Sequence, residues 1–181
     1  MTLTELKYIV AVAREKHFGR AAEACFVSQP TLSVAIKKLE EELDVKLFER
    51  SANEVAVTAL GEEIIRQAQS VLEQAANIKE IAQSLHQAAH QAKPITQISL
   101  EQNLSLDQAY EVQKELINLR INEGETLIGL KMGFTSEAKM QQMGVHDLIW
   151  GRLTSAMLIP NQNTTARSQY IHPRVEPEIC F

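Results

Sequence analysis

The sequence has few of the features that anchor a protein covalently or in a membrane. Among 181 residues there are two cysteines, Cys25 and Cys180, too far apart for a short metal or redox motif. We expect both thiols to be unpaired. No run approaches the roughly 20 apolar residues that a membrane helix requires, and the N-terminus has no signal-peptide core. These absences argue against a membrane protein and predict a cytoplasmic one.

The sequence also lacks an excess of positive charge. Its net charge is -5. Residues 1–90 carry 10 Lys and Arg against 13 Asp and Glu, and residues 91–181 carry 8 against 10. Nucleic-acid binding therefore has to be argued from a local patch with a recognisable motif. The length suits one ordinary domain or two small ones, and no Gly/Ser linker, low-complexity segment or internal repeat marks a boundary.

Two short helices are predicted before residue 28. Thr4 can cap an amphipathic helix whose apolar residues fall on one stripe and whose charged residues fall on the other. The segment RAAEAC follows Gly19, and its alanines are small enough for another helix to cross closely. A tight turn at Phe26 and Val27 ends this segment.

The third predicted helix has a polar and basic outer face. Ser28 is a good N-cap and Pro30 lies in the first turn, where a missing N–H costs little, so the helix is predicted over residues 29–43. Its predicted core face is Leu32, Ala35, Ile36, Leu39 and Leu43. Short polar side chains on the outer face can read base edges, and lysines can bind phosphate. A merely solvated helix face would give the same pattern.

Residues 17–50 carry a specific motif. The run reads HFGRAAEACFVSQPTLSVAIKKLEEELDVKLFER. Its pattern AAxxxxxSQPTLSxxIxxLE resembles the winged helix-turn-helix of LysR-type transcriptional regulators, in particular their OxyR-like subgroup. The resemblance implies that the helix after Ser28 is the recognition helix, that residues 47–57 form the wing, and that Arg50 contacts the DNA backbone. The DNA-facing residues it implies are Gln29, Pro30, Thr31, Ser33, Lys37, Lys38 and Arg50.

Two positions depart from that family's pattern. Asp44 stands where the family usually has Gly, just after the recognition helix, where a left-handed backbone is expected. Ala59 stands where Pro is common, at the start of the next helix. Both departures predict some loss of local stability, and neither removes a predicted DNA contact.

A heptad pattern begins after Gly61. Apolar residues recur at alternating spacings of four and three over about four repeats. LysR-type proteins dimerise through a linker helix at this place, so the pattern and the resemblance together predict a homodimer. A helix packed on its own domain would show the same spacing. The predicted seam is Ile64, Ala68, Val71, Ala75 and Ile78, with a weaker, Ala-rich continuation to Ala92.

The second half predicts an α+β segment. Ser105 and Gln108 fit a capping box for a helix that closes near Gly124. The stretch TLIGLKMGF is predicted as a buried strand, and SAMLIP as a second strand. Between them, a short helix EAKMQQM follows Ser136 and ends at Gly144. This is too little sheet to close a core.

Three charged residues of this half suggest chemistry. Lys131 lies in the apolar strand, where burial is costly without a partner, unless it is a lysine that reaches solvent at a strand edge. Glu176 and Glu178 are two residues apart on a strand-like segment, so their carboxylates face one side and suit Mg²⁺ or Mn²⁺. A solvated strand face would look the same.

Residues 129–153 and the closing IHPRVEPEICF resemble 4-oxalocrotonate decarboxylases and the related 2-oxopent-4-enoate hydratases of the fumarylacetoacetate hydrolase superfamily. The resemblance covers about residues 84–181. It implies that Glu176 and Glu178 are two of three metal-ligating carboxylates and that Lys131 is an active-site lysine. The third carboxylate of that family lies beyond Phe181, so we expect weak metal binding and no catalysis.

The sequence therefore predicts a mainly α protein. It comprises a winged helix-turn-helix over residues 1–58, a linker and dimerisation helix over residues 59–92, and an incomplete α+β segment of the fumarylacetoacetate hydrolase type over residues 93–181. The predicted function is sequence-specific DNA binding as a regulator module without its effector domain, with DNA and a second copy as partners and no cofactor. The alternatives are a Mg- or Mn-dependent decarboxylase or hydratase of aromatic meta-cleavage degradation, and an inactive product of gene rearrangement or of a truncated reading frame.

Overall fold

The computed structural model describes residues 1–50, 55–144, 146–161 and 163–174. The chain divides into two compact units, Met1–Asn77 and Ile78–Phe181. The described elements are mainly helical, as predicted. In chain order they are α1 (Leu3–Glu15), α2 (Phe18–Ala24), α3 (Gln29–Leu43), β1 (Phe48–Arg50), β2 (Val55–Val57), α4 (Ala59–His90), α5 (Ile98–Glu101), α6 (Leu106–Asn122), β3 (Leu127–Gly133), α7 (Glu137–Met143), β4 (Ile149–Thr154) and two 3-10 turns, Ser155–Met157 and Arg167–Gln169.

Side-chain caps set the starts of the first two helices. The predicted cap at Thr4 is wrong, because the cap is Thr2 and α1 begins two residues earlier than predicted. The Thr2 hydroxyl accepts a hydrogen bond from the Glu5 amide, and the Glu5 carboxylate accepts one from the Thr2 amide at 2.7 Å. This reciprocal box requires Glu or Gln three residues after the cap, a spacing that Thr2 satisfies. His17 caps α2 through its ring Nδ1 atom, which accepts from two amides of the first turn.

The helix α3 begins and ends where the sequence predicts. The Ser28 hydroxyl accepts a hydrogen bond from the Thr31 amide at 3.3 Å, and Pro30 lies in the first turn. At the other end, Asp44 has φ 53° and ψ 41°. The predicted left-handed backbone at Asp44 is confirmed, and a non-glycine residue adopts it with some strain.

The core of the first unit lies among α1, α2, α3, the β1–β2 hairpin and the start of α4. The rings of Phe18 and Phe48 meet edge to face, with centroids 6.0 Å apart. Leu32, Ile36 and Leu39 of the predicted α3 face are fully buried, and the other two residues of that face are partly buried. The buried apolar residues are Leu6, Ile9, Ala11, Val12, Phe18, Ala21, Ala22, Leu32, Ile36, Leu39, Leu47, Phe48, Ile65 and Ala68.

A buried carboxylate joins α3 to the start of the hairpin. Glu40 is 9% exposed, and its Oε1 atom accepts hydrogen bonds from the amides of Leu47 at 2.8 Å and Phe48 at 3.2 Å. The Lys46 ammonium lies 3.4 Å from the other oxygen. A buried N–H without a partner is costly, so Glu40 stabilises the chain reversal that leads into β1.

The start of α4 packs closely against the segment before β1. The Thr58 hydroxyl donates to the Lys46 carbonyl oxygen at 2.6 Å and accepts from the Gly61 amide at 2.9 Å. A Cβ atom at Gly61 would lie 2.5 Å from the Leu47 carbonyl oxygen. The close approach therefore requires glycine at this position.

The second unit has a small core beside α6. The predicted capping box is confirmed, since Gln108 donates its amide to the Ser105 hydroxyl at 3.2 Å and accepts the Ser105 amide at 2.9 Å. Gly124, with φ 99°, follows the end of the helix, also as predicted. The core residues are Ile81, Ala82 and Val112, with Ile78, Leu85, Ile98, Leu104, Leu116 and Leu119 partly buried against them.

The strands β3 and β4 form an antiparallel pair, and two predictions about the strands of this unit are wrong. The strand β3 is present but is not buried: its four large apolar side chains are between 47% and 60% exposed. Its described sheet has only two strands, so it lacks neighbours that would cover it. The predicted second strand, SAMLIP, is also wrong. Residues 155–157 form a 3-10 turn, and the partner strand is β4.

The strand β4 is held against α6 by aromatic and polar contacts. The rings of Tyr110 and Trp150 stack with centroids 5.0 Å apart, and the Trp150 amide donates to the Tyr110 hydroxyl at 3.3 Å. The Gln113 side-chain amide donates to the Trp150 carbonyl oxygen at 3.1 Å. The helix α7 has its predicted bounds and ends at left-handed Gly144, although Ser136 makes no side-chain capping bond.

Cys25 is a free, half-buried thiol, and burial raises its pKa. Cys180 lies outside the described residues. Within the described ranges, no helix combines the length and the apolar character needed to cross a bilayer.

Candidate nucleic-acid interface

The turn between α2 and α3 is closed by backbone hydrogen bonds. The Phe26 amide donates to the Glu23 carbonyl oxygen and the Val27 amide to that of Ala22, both at 3.0 Å. Phe26 has φ 56°, a left-handed backbone that reverses the chain within a few residues. The turn predicted at Phe26 and Val27 is confirmed, and it places the start of α3 at the surface of the first unit.

The predicted DNA-facing residues of α3 are mostly accessible. Gln29, Pro30 and Thr31 are exposed in the first turn, and Lys37 and Lys38 are exposed two turns later. Ser33 is half-buried. The Thr31 hydroxyl lies 2.8 Å from that of Ser28, so part of its hydrogen-bonding capacity is used within the cap.

Charge is unevenly distributed along α3. Its first turn contains no acidic residue, whereas Glu40, Glu41 and Glu42 lie near its C-terminal end. The partial positive charge of a helix N-terminus therefore stays unneutralised at the exposed end. Lys37 pairs with Glu41 at 3.6 Å, but both side chains are exposed and such a pair is weak. The N-terminal two-thirds of the helix can accept an anionic partner.

The hairpin that follows α3 has the position of the predicted wing. Its strands are antiparallel, with Phe48 opposite Val57 and Arg50 opposite Val55. The Arg50 side chain and residues 51–54 lie outside the described part of the structure. The predicted backbone contact of Arg50 therefore stays a prediction.

One exposed residue beside the start of α3 was not predicted from the sequence to have a functional role. Phe26 is 94% exposed, although it is a large aromatic residue in the turn directly before α3. The only signal was an aromatic residue in the short turn before the Ser28 cap, and its neighbours Cys25 and Val27 are not polar. Its position makes it a candidate contact at the same end of α3.

The predicted dimer seam divides into covered and accessible residues. Ala68 is 3% exposed within the core of its own unit, and Ile64 packs against the same core. Val71 is 45% exposed and Ala75 is half-buried, whereas Ile78 packs against the small core of the second unit. The helix ends at His90, so the weak continuation to residue 92 lies partly beyond it.

The predicted enzyme residues are not brought together by the described part of the chain. Lys131 lies on β3 opposite Gly151, and its side chain is exposed. Glu176 and Glu178 lie outside the described residues. Their predicted roles stay predictions.

Comparisons with known proteins match both of the families that the motifs resemble. Residues 3–62 match the family described as bacterial regulatory helix-turn-helix protein, lysR family. The DNA-binding transcriptional dual regulator OxyR of Escherichia coli is 48% identical over 82 residues, which are 45% of this chain and 27% of that protein. A 4-oxalocrotonate decarboxylase from a Pseudomonas species is 50% identical over 104 residues, 58% of this chain and 41% of that protein. The chain thus spans less than half of either relative.

Among solved structures, a full-length OxyR from Pseudomonas aeruginosa is 65% identical, covers 46% of this chain and 28% of its own, and has a TM-score of 0.45. The BenM DNA-binding domain, solved in complex with benA site 1 DNA, is 34% identical, covers 47% of this chain and 96% of its own, and also has a TM-score of 0.45. The sequence matches carry the assignment. The N-terminal part of this chain, residues 3–62, is a LysR-family helix-turn-helix domain.

Proposed function

We propose that this protein binds double-stranded DNA sequence-specifically, as the DNA-binding module of a LysR-type transcriptional regulator. The observation that carries the proposal is the first turn of α3, where exposed Gln29, Pro30 and Thr31 stand at a capped helix N-terminus without acidic residues. Such an end fits the major groove, where polar side chains reach base edges. The proposal places the protein in the cytoplasm.

In this mechanism the surface residues divide by role. Gln29 and Ser33 read base edges, since an amide or a hydroxyl can hydrogen-bond to a specific base. Lys37, Lys38 and Arg50 bind phosphates, which fixes the position of α3 on the duplex without reading sequence.

The experiment measures binding by fluorescence anisotropy at two salt concentrations. The duplex is a palindromic site selected by the purified protein from a random-sequence library. We expect affinity to fall steeply with salt, because binding releases counterions from the phosphates. Lys38→Ala should weaken binding to all sequences and reduce the salt slope by about 1. Gln29→Ala should cost about 1–3 kcal/mol and relax the preference at one base pair.

Lys79→Ala is the matched control, because Lys79 is an exposed lysine on α4 and lies outside residues 3–62, which match the helix-turn-helix family. It should leave both affinity and salt slope unchanged. Failure to enrich any sequence, or equal losses in Lys38→Ala and Lys79→Ala, would contradict the proposal.

We also propose a homodimer through α4, which would present two recognition helices to a palindromic site. The accessible part of the predicted seam is Val71 and Ala75. Val71→Lys should reduce the dimer fraction in sedimentation velocity, because it places a charge in an apolar contact. Gln69→Lys adds the same charge at another exposed position of α4 and should leave the dimer intact. Equal sedimentation of the two variants would argue against this seam.

A carbon–carbon lyase or hydratase activity is the second candidate, favoured by the 50% identity to a 4-oxalocrotonate decarboxylase over 104 residues. Mg²⁺ or Mn²⁺ would be held by Glu176 and Glu178, which lie outside the described residues. We expect no turnover, because Lys131 is exposed to water, and an exposed lysine gains none of the electrostatic strengthening of an enclosed site. Loss of 2-oxohex-3-enedioate absorbance that disappears in Glu176→Gln would establish the activity.

A further inference from the structure

Two histidines and a glutamate converge in the second unit. His86 and His90 lie one helical turn apart in the last turns of α4, and Glu123 directly follows the last residue of α6. Residues four apart on a helix share a face, so both imidazoles point toward the same neighbour. The three side chains form the only group of its kind within the described ranges in which ligand atoms from three such residues all lie within 4.8 Å.

The ligand atoms face one another. The His86 Nε2 atom is 2.8 Å from Glu123 Oε1, and the His90 Nε2 atom is 3.2 Å from Glu123 Oε2. The two imidazole rings lie at 70° with centroids 4.4 Å apart. The His86 Nδ1 atom is buried and has no hydrogen-bond partner in the described chain, which leaves Nε2 as the nitrogen directed into the cluster.

The surroundings favour a cation and allow it to enter. Both helices end at this cluster, α4 at His90 and α6 immediately before Glu123. Helix C-termini carry partial negative charge, so two of them add to the charge of the carboxylate. The His86 side chain is only 13% exposed, whereas those of His90 and Glu123 are 59% and 49% exposed. His90 also lines an open cavity of about 580 Å³.

We propose that His86, His90 and Glu123 form a binding site for a transition-metal dication, with Zn²⁺ as the best match. Two imidazole nitrogens and one carboxylate oxygen are ligands that Zn²⁺ accepts, and three protein ligands leave a fourth position for water. Tetrahedral Zn²⁺ with bonds of about 2.0–2.1 Å separates its ligand atoms by about 3.3 Å. The two imidazole nitrogens lie 2.8 and 3.2 Å from the two different oxygens of Glu123, and one ligand atom from each of the three residues lies within 4.8 Å of the others, so side-chain rotations would bring one oxygen and both nitrogens to that separation.

The site is chemically distinct from the one proposed at Glu176 and Glu178. Imidazole nitrogen selects Zn²⁺, Co²⁺ or Ni²⁺, whereas a site of carboxylates alone suits Mg²⁺ or Mn²⁺. A metal at His86, His90 and Glu123 would join the last turn of α4 to the end of α6 within the second unit. The proposal is independent of DNA binding and of catalysis.

The experiment titrates the untagged, full-length protein with Zn²⁺ in competition with a chromophoric chelator, and with Co²⁺ by visible absorption. We expect one Zn²⁺ per chain and a Co²⁺ spectrum with the strong bands of a four- or five-coordinate site. His86→Ala, His90→Ala and Glu123→Gln should each weaken Zn²⁺ binding by about tenfold or more, since loss of a supporting group alone has about that effect. Mg²⁺ should not compete.

Two controls isolate the site. His146→Ala removes an exposed histidine of the same unit, and a Glu176→Gln and Glu178→Gln double variant removes the other candidate carboxylates. Both should retain the affinity of the parent protein. Retention of affinity in His86→Ala and His90→Ala, or its loss in the controls alone, would overturn the proposal.

A second measurement does not depend on variants that may fold poorly. Diethylpyrocarbonate modifies accessible imidazoles, and mass spectrometry locates the products. Added Zn²⁺ should protect His90 and should leave His146 reactive. Equal modification of His90 with and without saturating Zn²⁺ would show that the three side chains form a hydrogen-bonded cluster and nothing more.

Discussion

The two units of this chain differ in how much apolar surface they bury. Fourteen of the nineteen buried apolar residues in the described chain belong to the core of the first unit, although that unit is the shorter one. Among the described residues, sixteen of the twenty-two exposed large apolar residues belong to the second unit. The first unit therefore has the burial expected of an independently stable domain, whereas the second leaves much of its apolar surface in water.

The difference bears on function as well as on stability. The proposed recognition helix, α3, must be held rigidly, and it is held by three fully buried residues and by the Glu40 carboxylate. The strand β3 has one described neighbour and an exposed apolar surface, which is a hazard for aggregation. The unit with the better buried core is therefore also the unit whose sequence matches the LysR helix-turn-helix family.

The difference in apolar burial between the two units predicts its largest effect for truncation of one core leucine in each unit. Leu39→Ala should cost about 3 kcal/mol, because Leu39 is fully buried and its loss leaves a cavity. Leu119→Ala, the matched variant in the second unit, should cost about 1 kcal/mol, because Leu119 is only partly buried.

Urea unfolding with two probes measures both variants. Far-UV circular dichroism follows all the helices, and Trp150, the sole tryptophan, reports on the second unit. In the parent protein we expect the fluorescence transition at the lower urea concentration. Leu39→Ala should move only the later part of the dichroism transition, whereas Leu119→Ala should move the fluorescence transition together with the earlier part of the dichroism transition, because the second unit also contains helices. Coincident transitions in all three proteins would mean that the two units unfold as one.

A smaller effect is expected from adding one methyl group in each unit. A Cβ at Gly61 would lie 2.5 Å from a backbone oxygen, so Gly61→Ala should destabilise the first unit by about 2 kcal/mol. A Cβ at Gly129 on β3 would meet no atom within 4 Å, so Gly129→Ala should change stability by less than about 0.5 kcal/mol. Circular dichroism and Trp150 fluorescence give the two midpoints. A tolerated Gly61→Ala would show that the start of α4 can move away from the hairpin.

A gain in stability is expected where a left-handed backbone lacks glycine. Asp44→Gly should stabilise the first unit by about 0.5 kcal/mol, because relief of strain exceeds the added entropy of the unfolded chain. Ala92, with φ 48°, offers the same test in the second unit, and Ala92→Gly should gain at least as much because alanine tolerates this region less well than aspartate. Thermal midpoints measure both. A loss of stability in Asp44→Gly would mean that the aspartate side chain contributes more than its backbone costs.

Features that depend on residues close together in the sequence could be predicted, whereas features that depend on contacts between distant residues could not. The bounds of α3 depend on Ser28, Pro30 and Asp44, all within one turn of its ends, and they were predicted correctly. The burial of β3 depends on which layers cover it, so its apolar run indicated a strand and wrongly suggested a buried one. The heptad pattern likewise located an apolar stripe on α4 without showing that Ala68 is covered by its own unit.

The same limit applies to the sites. The residues of the helix-turn-helix surface are close in sequence, so a motif could name them. His86 and His90 are visible as a pair four residues apart, but Glu123 joins them only because α6 packs beside α4. Nothing in the local sequence marks that proximity. Glu40 was visible only as the last residue of a motif, and its hydrogen bonds from the Leu47 and Phe48 amides depend on the folded chain.

The smallest predicted effect is a difference in pH dependence between the two capping boxes, one in each unit. The box of α1 uses Glu5, and hydrogen bonds from Thr2 lower the pKa of that carboxyl below its usual value of 4.5. A lowered pKa in the folded state means that its stabilisation is present above pH 4.5 and is lost as the pH falls through the folded value. The box of α6 uses Gln108, which does not titrate.

Urea midpoints of the parent, Glu5→Gln and Ser105→Ala from pH 7 to pH 3 measure the contributions of both capping boxes. The deficit of Glu5→Gln in the dichroism midpoint should shrink below pH 4.5, whereas the deficit of Ser105→Ala in the Trp150 midpoint should stay constant. A deficit of Glu5→Gln that does not change with pH would mean that protonation of Glu5 has no effect on the stability of the cap, and would contradict the expected difference between the two boxes.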